Sequence, residues 1–193
     1  YIHLYWQTVE QQFNPALAIA STVTSNCMSK KPTKAELKKI RQSLPNAKRQ
    51  LVEDHDIYNR VFISVFDKWL TPEEVDKISK LELKELFERR QKLEAIIMEF
   101  YELTETYIWR YKRHKRIVFY KPSSLTHLLN RCDIKNQNWW HGHRYHILLP
   151  EFSAIYGEEW DWTNILWYID KEKIKPLLKL AENSGLHILH DRE

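Results

Sequence analysis

Residues 139–170 read WWHGHRYHILLPEFSAIYGEEWDWTNILWYID, and the reading of this stretch decides the fold. It holds five of the chain's eight tryptophans, two of its three glycines and three of its nine histidines. Residues 144–149 have the aromatic and aliphatic content of a strand, and 152–156 are placed to pair with them across Pro150. Residues 163–169 are apolar on both faces, which predicts a central strand covered on both sides. Two explanations suit so much ring mass beside titratable nitrogen. One is a tryptophan-stacked sheet core with a polar rim, the other a binding or catalytic site built on that sheet.

Working outward, residues 171–184 carry Ile174, Leu177, Leu178 and Ala181 at helical spacing, with Pro176 tolerable only in the first turn or at a kink. Gly185 suits the left-handed position that ends such a helix, and 186–190 then predict a last strand. Residues 123–131 have helical spacing at Leu125, Leu128 and Leu129. Residues 117–120 are a short β-branched and aromatic run, closed by Lys121-Pro122.

Upstream, the pattern predicts helices. Residues 1–13 have helical spacing up to the break at Asn14-Pro15, and 29–32 read as a linker. Thr33 and Glu36 form a capping box for a helix that stops at Pro45. From Asn46 to Trp69, apolar positions recur every three to four residues, predicting a core helix of about seven turns. Thr71-Pro72-Glu73-Glu74 then supplies an N-cap, a first-turn proline and carboxylates facing the dipole. The helix it opens is expected to reach residue 112, with a bend near 81–83. The expected fold is α+β: long N-terminal helices followed by a small mixed sheet of four or five strands carrying two helices. A helical region, 1–115, and a sheet-bearing region, 116–193, are expected to pack as one compact domain.

Composition narrows the function. A chain of 193 residues with 43% hydrophobic and 29% charged content buries a core and lies far from disorder. The longest plainly apolar run near the start, 16–20, suits neither a signal peptide nor a membrane span, so a soluble protein is expected. Gly142, Gly157 and Gly185 are too far apart for a dinucleotide turn, a phosphate loop or a nucleophile elbow. Cys27 and Cys132 form no CxxC, which favours a reducing, cytoplasmic compartment over a disulfide framework.

His141, His143 and His146 make the sharpest cluster. On a strand, His141 and His143 share one face about 7 Å apart while His146 points away, one ligand short of a catalytic zinc set. Glu158, Glu159 and Asp161 form an acidic turn able to supply acids, bases or magnesium ligands. No histidine has a glutamate three residues before it, and no HExxH occurs. His55 suits a hydrogen-bonded core position, while His187 and His190 face opposite sides of their strand.

Residues 108–121 carry six basic groups and no acidic one. Arg110, Lys112, Arg113, Lys115 and Arg116 beside Trp109 and Tyr111 have the ingredients of a phosphate-contacting, base-stacking surface, though cations also suit a helix C-terminus. Trp139, Trp140 and Arg144 are residue types enriched in interface hot spots.

The favoured expectation is a cytoplasmic interaction protein without cofactor or catalytic activity, of inhibitor, adaptor or immunity type. It would bind another protein through Trp139, Trp140 and Arg144 and the acidic turn Glu158, Glu159 and Asp161, with no membrane partner. The second expectation is a metal-assisted or histidine-dependent hydrolase, or a nucleic-acid-processing or nucleic-acid-binding protein. It would use His141, His143, His146, Glu158 and Asp161, with any metal on His141 and His143 and phosphate on the basic run.

Overall fold

The computed structural model describes residues 29–51, 57–78, 83–112, 116–132, 145–158 and 162–191. Helix α1 (Lys34–Ser43) starts where the capping box predicts: the Thr33 hydroxyl accepts from Glu36 N–H at 3.2 Å, and the Glu36 carboxylate accepts from Thr33 N–H at 2.6 Å. A four-residue helix α2 (Ala47–Gln50) follows, then strand β1 (Asn59–Ser64), helix α3 (Pro72–Ile78) and the long helix α4 (Leu83–Leu103). The hairpin β2 (Tyr107–Lys112) and β3 (Arg116–Tyr120) leads to α5 (Leu125–Cys132). Strands β4 (His146–Leu149), β5 (Ala154–Glu158) and β6 (Thr163–Tyr168), helix α6 (Lys171–Asn183) and β7 (His187–Leu189) complete the described chain.

The expected small mixed sheet is overturned. One seven-stranded sheet runs in the order β3-β2-β4-β5-β6-β1-β7, and every pairing in it is antiparallel. The expected long helices of the first half give way with it, because β1 lies inside the run predicted as a seven-turn helix and β2 inside the run predicted to stay helical to residue 112. The predicted first helix at 1–13 lies outside the described residues.

The physical reason is burial on both faces. In β1, Val61 and Ile63 enter one core while Phe62 enters the other. A strand covered on both sides is apolar at every position and loses its period of two, so a run such as Val61-Phe62-Ile63 imitates part of a buried helix. In β2, Tyr107 and Ile108 divide between the cores in the same way. A turn of helix would have put them on one side.

The first core packs the sheet against Leu93, Ile96, Ile97 and Phe100 of α4, Leu128 and Cys132 of α5, and Ile174, Leu177 and Ala181 of α6. The second lies under Ile40 of α1, Leu44 at the C-cap of that helix and Ala47 of α2, facing Tyr107, Phe119, Leu148, Ile155, Ile165 and Trp167. The result is a helix, sheet, helix sandwich. β6 is interior and buried at all six positions, as its sequence predicts. Asp170 caps α6 by accepting from Glu172 N–H at 2.9 Å, and Pro176 sits inside that helix, past the first turn. Gly185, at φ 72°, closes it, with Leu186 N–H donating to Ala181 O at 3.0 Å. No described helix is long and apolar enough to cross a membrane.

The cap on α1 yields a pH prediction. Hydrogen bonds from Thr33, then the Lys121 ammonium 3.2 Å away, hold the Glu36 carboxyl at about 2 against an ordinary 4.5. A lowered folded-state value contributes stability that is complete above about 4.5 and lost as pH falls toward about 2. Glu36→Gln is expected to cost about 1 kcal/mol at neutral pH, the usual worth of such a cap. Urea midpoints for the two proteins should converge as the pH is lowered through that window. A gap independent of pH would refute the assignment.

Candidate functional site

Antiparallel order decides which chain segments meet. The ends of β1, β2 and β5 and the starts of β3, β4, β6 and β7 lie at the same end of the sheet. The described strand ends that flank the three segments singled out in the sequence therefore lie together: those of β2 and β3 on either side of 113–115, the start of β4 after 133–144, and those of β5 and β6 on either side of 159–161. Trp139, Trp140, His141, His143, Arg144, Glu159, Asp161, Arg113 and Lys115 lie outside the described residues. His146, Glu158, Arg110 and Arg116, with Lys112 by its place in β2, are the predicted site residues that the structure positions.

Two pairings tie the aromatic and acidic segments to each other. His146 is the register partner of Gly157, and Glu158 N–H donates to Tyr145 O at 3.1 Å. A Cβ at Gly157 would stand 2.6 Å from His146 Cδ2 and 2.8 Å from Trp167 Cζ3, so no larger residue fits without displacing a ring. His146 thus lies over a bare stretch of β5. Its ring centroid is 5.5 Å from that of Trp167 and 5.8 Å from that of Trp109.

The tautomer of His146 follows from one contact. Trp109 Nε1–H donates to His146 Nδ1 at 3.1 Å, and an indole nitrogen can only donate, so Nδ1 holds the lone pair and a neutral ring carries its proton on Nε2. A neutral imidazole has one lone pair, and here it is already engaged. In this arrangement His146 is not available to a metal through Nε2, and protonation at Nδ1 would break the bond to Trp109. The described residues contain no group of three His, Cys, Asp or Glu side chains able to hold a metal ion.

On the opposite face, facing α4 and α5, the same end carries a buried polar knot. Asn164 Nδ2 donates to the Tyr145 hydroxyl at 2.8 Å and to the Tyr156 hydroxyl at 2.6 Å. Burial, reinforced by neighbouring charges that include Glu158, pushes both phenols and the Cys132 thiol well above their ordinary values. All three stay neutral at physiological pH, which makes them structural and withholds a thiolate or phenolate nucleophile.

The basic run forms a hairpin and not the helix end expected for it. Arg110 lies over the Tyr120 ring at 4.0 Å on the first-core face, while its neighbour Trp109 packs with the second core. The strand's period of two therefore separates ring from cation. Lys112 is the register partner of Arg116. Burial, then Arg131 and Arg110, lower the pKa of His127, which Ser29 and Ser123 contact at 3.2 and 2.9 Å. His187 and His190 are exposed, the latter accepting at its carbonyl from Trp69 Nε1 at 2.8 Å. His55 lies outside the described residues.

Sequence reasoning missed the company that His146 keeps. Trp109, Gly157 and Trp167 are 37, 11 and 21 positions away, and strand register alone joins them. The scarcity of glycine was the available signal, since Gly157 stands in a strand where glycine has no packing value. No family model matches the chain, and neither a curated protein nor a solved structure is similar to it at a significant level.

Proposed function

We propose that this chain is a cytoplasmic protein that captures another protein, as an inhibitor, adaptor or immunity-type partner, and that it needs no cofactor to do so. The contact is made at the end of the sheet by the aromatic segment with Trp139, Trp140 and Arg144, which precedes β4, and by Glu158, the last residue of β5 and not the turn residue expected, with Glu159 and Asp161 after it. The observation that carries this reading is the joint between them, His146 against Gly157 and Glu158 N–H on Tyr145 O at 3.1 Å. It joins β4 to β5, the strands next to these segments in the chain, beside the half-buried rings of Trp109 and His146. An aromatic centre rimmed by carboxylates is the composition of a protein-binding hot spot.

The neutral, buried thiol of Cys132 suits a reducing compartment. A histidine-dependent hydrolase fits less well, since His146 spends its lone pair on Trp109. A base-stacking nucleic-acid surface on the hairpin fits less well because Trp109 and Arg110 face opposite sides.

The test is affinity capture from the native host with wild type and with Trp140→Ala, each checked for folding by circular dichroism. A partner held by wild type should be lost, by at least about tenfold, from a folded Trp140→Ala protein, as expected for a hot-spot tryptophan. A partner retained at full strength by Trp140→Ala and by Glu159→Lys overturns the proposal.

A further inference from the structure

Among the described residues, the outer edge of β3 has backbone groups without a partner. Lys121 and Lys30 exchange two backbone bonds, Lys30 N–H to Lys121 O at 3.1 Å and Lys121 N–H to Lys30 O at 2.9 Å, so Lys121 turns its amide and carbonyl away from β2. Backbone direction alternates along a strand, so Phe119 and Ile117 turn theirs the same way. Among the described residues nothing pairs with them.

The chain's own neighbouring segment does not cover them. In the register set by Lys30 and Lys121, the residue opposite Phe119 is Pro32, which has no N–H, and Thr33 already caps α1. On the other side of the bridge Ser29 leads away from Ile117, toward His127. A ladder is begun and stops after one bridge.

The charge beside this edge has one sign. Lys30, Lys31, Arg110, Arg116 and Arg131 are exposed, and none pairs with a carboxylate among the described residues. The carboxylates at hand, Glu36 and Glu105, are taken by Lys121, with Glu105 also 3.8 Å from Lys39.

We propose that β3 accepts an extended, acidic segment of a partner protein as an eighth strand, with its backbone on Ile117 and Phe119 and carboxylates at alternate positions toward Arg116 and Arg131. The backbone gives affinity, and the alternate charges give selectivity. A second copy of this chain suits the edge less well, because antiparallel pairing of two β3 strands sets Arg116 of one copy near Lys121 of the other. A nucleic acid would leave the open amides and carbonyls unused. The proposal does not involve Trp140, so it can fail or hold independently of the function proposed above.

The test titrates full-length, isotope-labelled protein with an end-capped peptide of alternating glutamate and valine, and with its lysine and valine counterpart. The acidic peptide should shift the Ile117 and Phe119 amide signals and slow their hydrogen exchange at least about tenfold as they become bonded. Binding should weaken as salt rises from about 0.05 to about 0.5 M, and Arg116→Glu should weaken it about tenfold, while the lysine peptide leaves both amides unchanged. The proposal is overturned if the two peptides act alike. It also fails if both amides are already protected in a dimer, or if a duplex oligonucleotide shifts them and the acidic peptide does not.

Discussion

Asn164→Leu is expected to lower the unfolding free energy by about 2–6 kcal/mol, since it strands two buried phenols at about 1–3 kcal/mol each. Asn164 is 2% exposed and donates to Tyr145 and Tyr156, themselves 8% and 0% exposed. A leucine of similar size fills the space but offers no hydrogen. Tyr145→Phe should cost much less, about 1 kcal/mol, because it removes an acceptor and leaves Asn164 its second one. Urea unfolding measures both, and a shift in midpoint at constant slope identifies lost stability.

The consequence reaches the proposed binding end. Tyr145 is the residue through which 133–144 joins β4, and its carbonyl receives Glu158 N–H. Releasing its hydroxyl should therefore weaken partner capture even under conditions where the variant is still folded. If Asn164→Leu unfolded within about 1 kcal/mol of wild type, the knot would not be what holds this end of the sheet.

Gly157→Val is expected to destabilise by about 3 kcal/mol, and Gly157→Ala by about 2 kcal/mol, as overpacking of a filled site does. The nearest atoms to a new Cβ are His146 Cδ2 at 2.6 Å and Trp167 Cζ3 at 2.8 Å. Trp167 is interior and cannot retreat, so His146 must move, and it carries the bond to Trp109 with it. Thermal unfolding should show the loss, and tryptophan fluorescence should report the changed setting of Trp109. The cycle with His146→Ala separates the two causes: the double variant should recover the part of the Gly157→Ala penalty that His146 imposes and keep the part owed to Trp167, whose Cζ3 still stands 2.8 Å from the new Cβ. An alanine tolerated at wild-type stability would contradict the close approach of β4 and β5.

Local signals transferred well from sequence to structure. The Thr33 box, the Thr71 cap and the glycine at 185 each involve residues within five positions of one another, so their geometry is written in adjacent letters. The strands near residue 139 and beyond were legible for a related reason, since β4, β5 and β6 are joined by short turns. β1 and β2 were not. Their ladders reach Trp167 and Leu148, far along the chain, and the apolar spacing around them satisfied a helix equally well.

The candidate site divides in the same manner. The chain alone determined which residue types are concentrated between 109 and 161, that glycine-dependent nucleotide and hydrolase motifs are absent, and where most helices begin. Only the tertiary structure decided that the strand ends flanking the basic, aromatic and acidic segments share one end of a sheet, that His146 gives its lone pair to Trp109, and that Arg110 and Trp109 part company. Those outcomes depend on strand order and register, which arise from burying both faces of a sheet between distant helices, and no run of neighbouring residues encodes that choice.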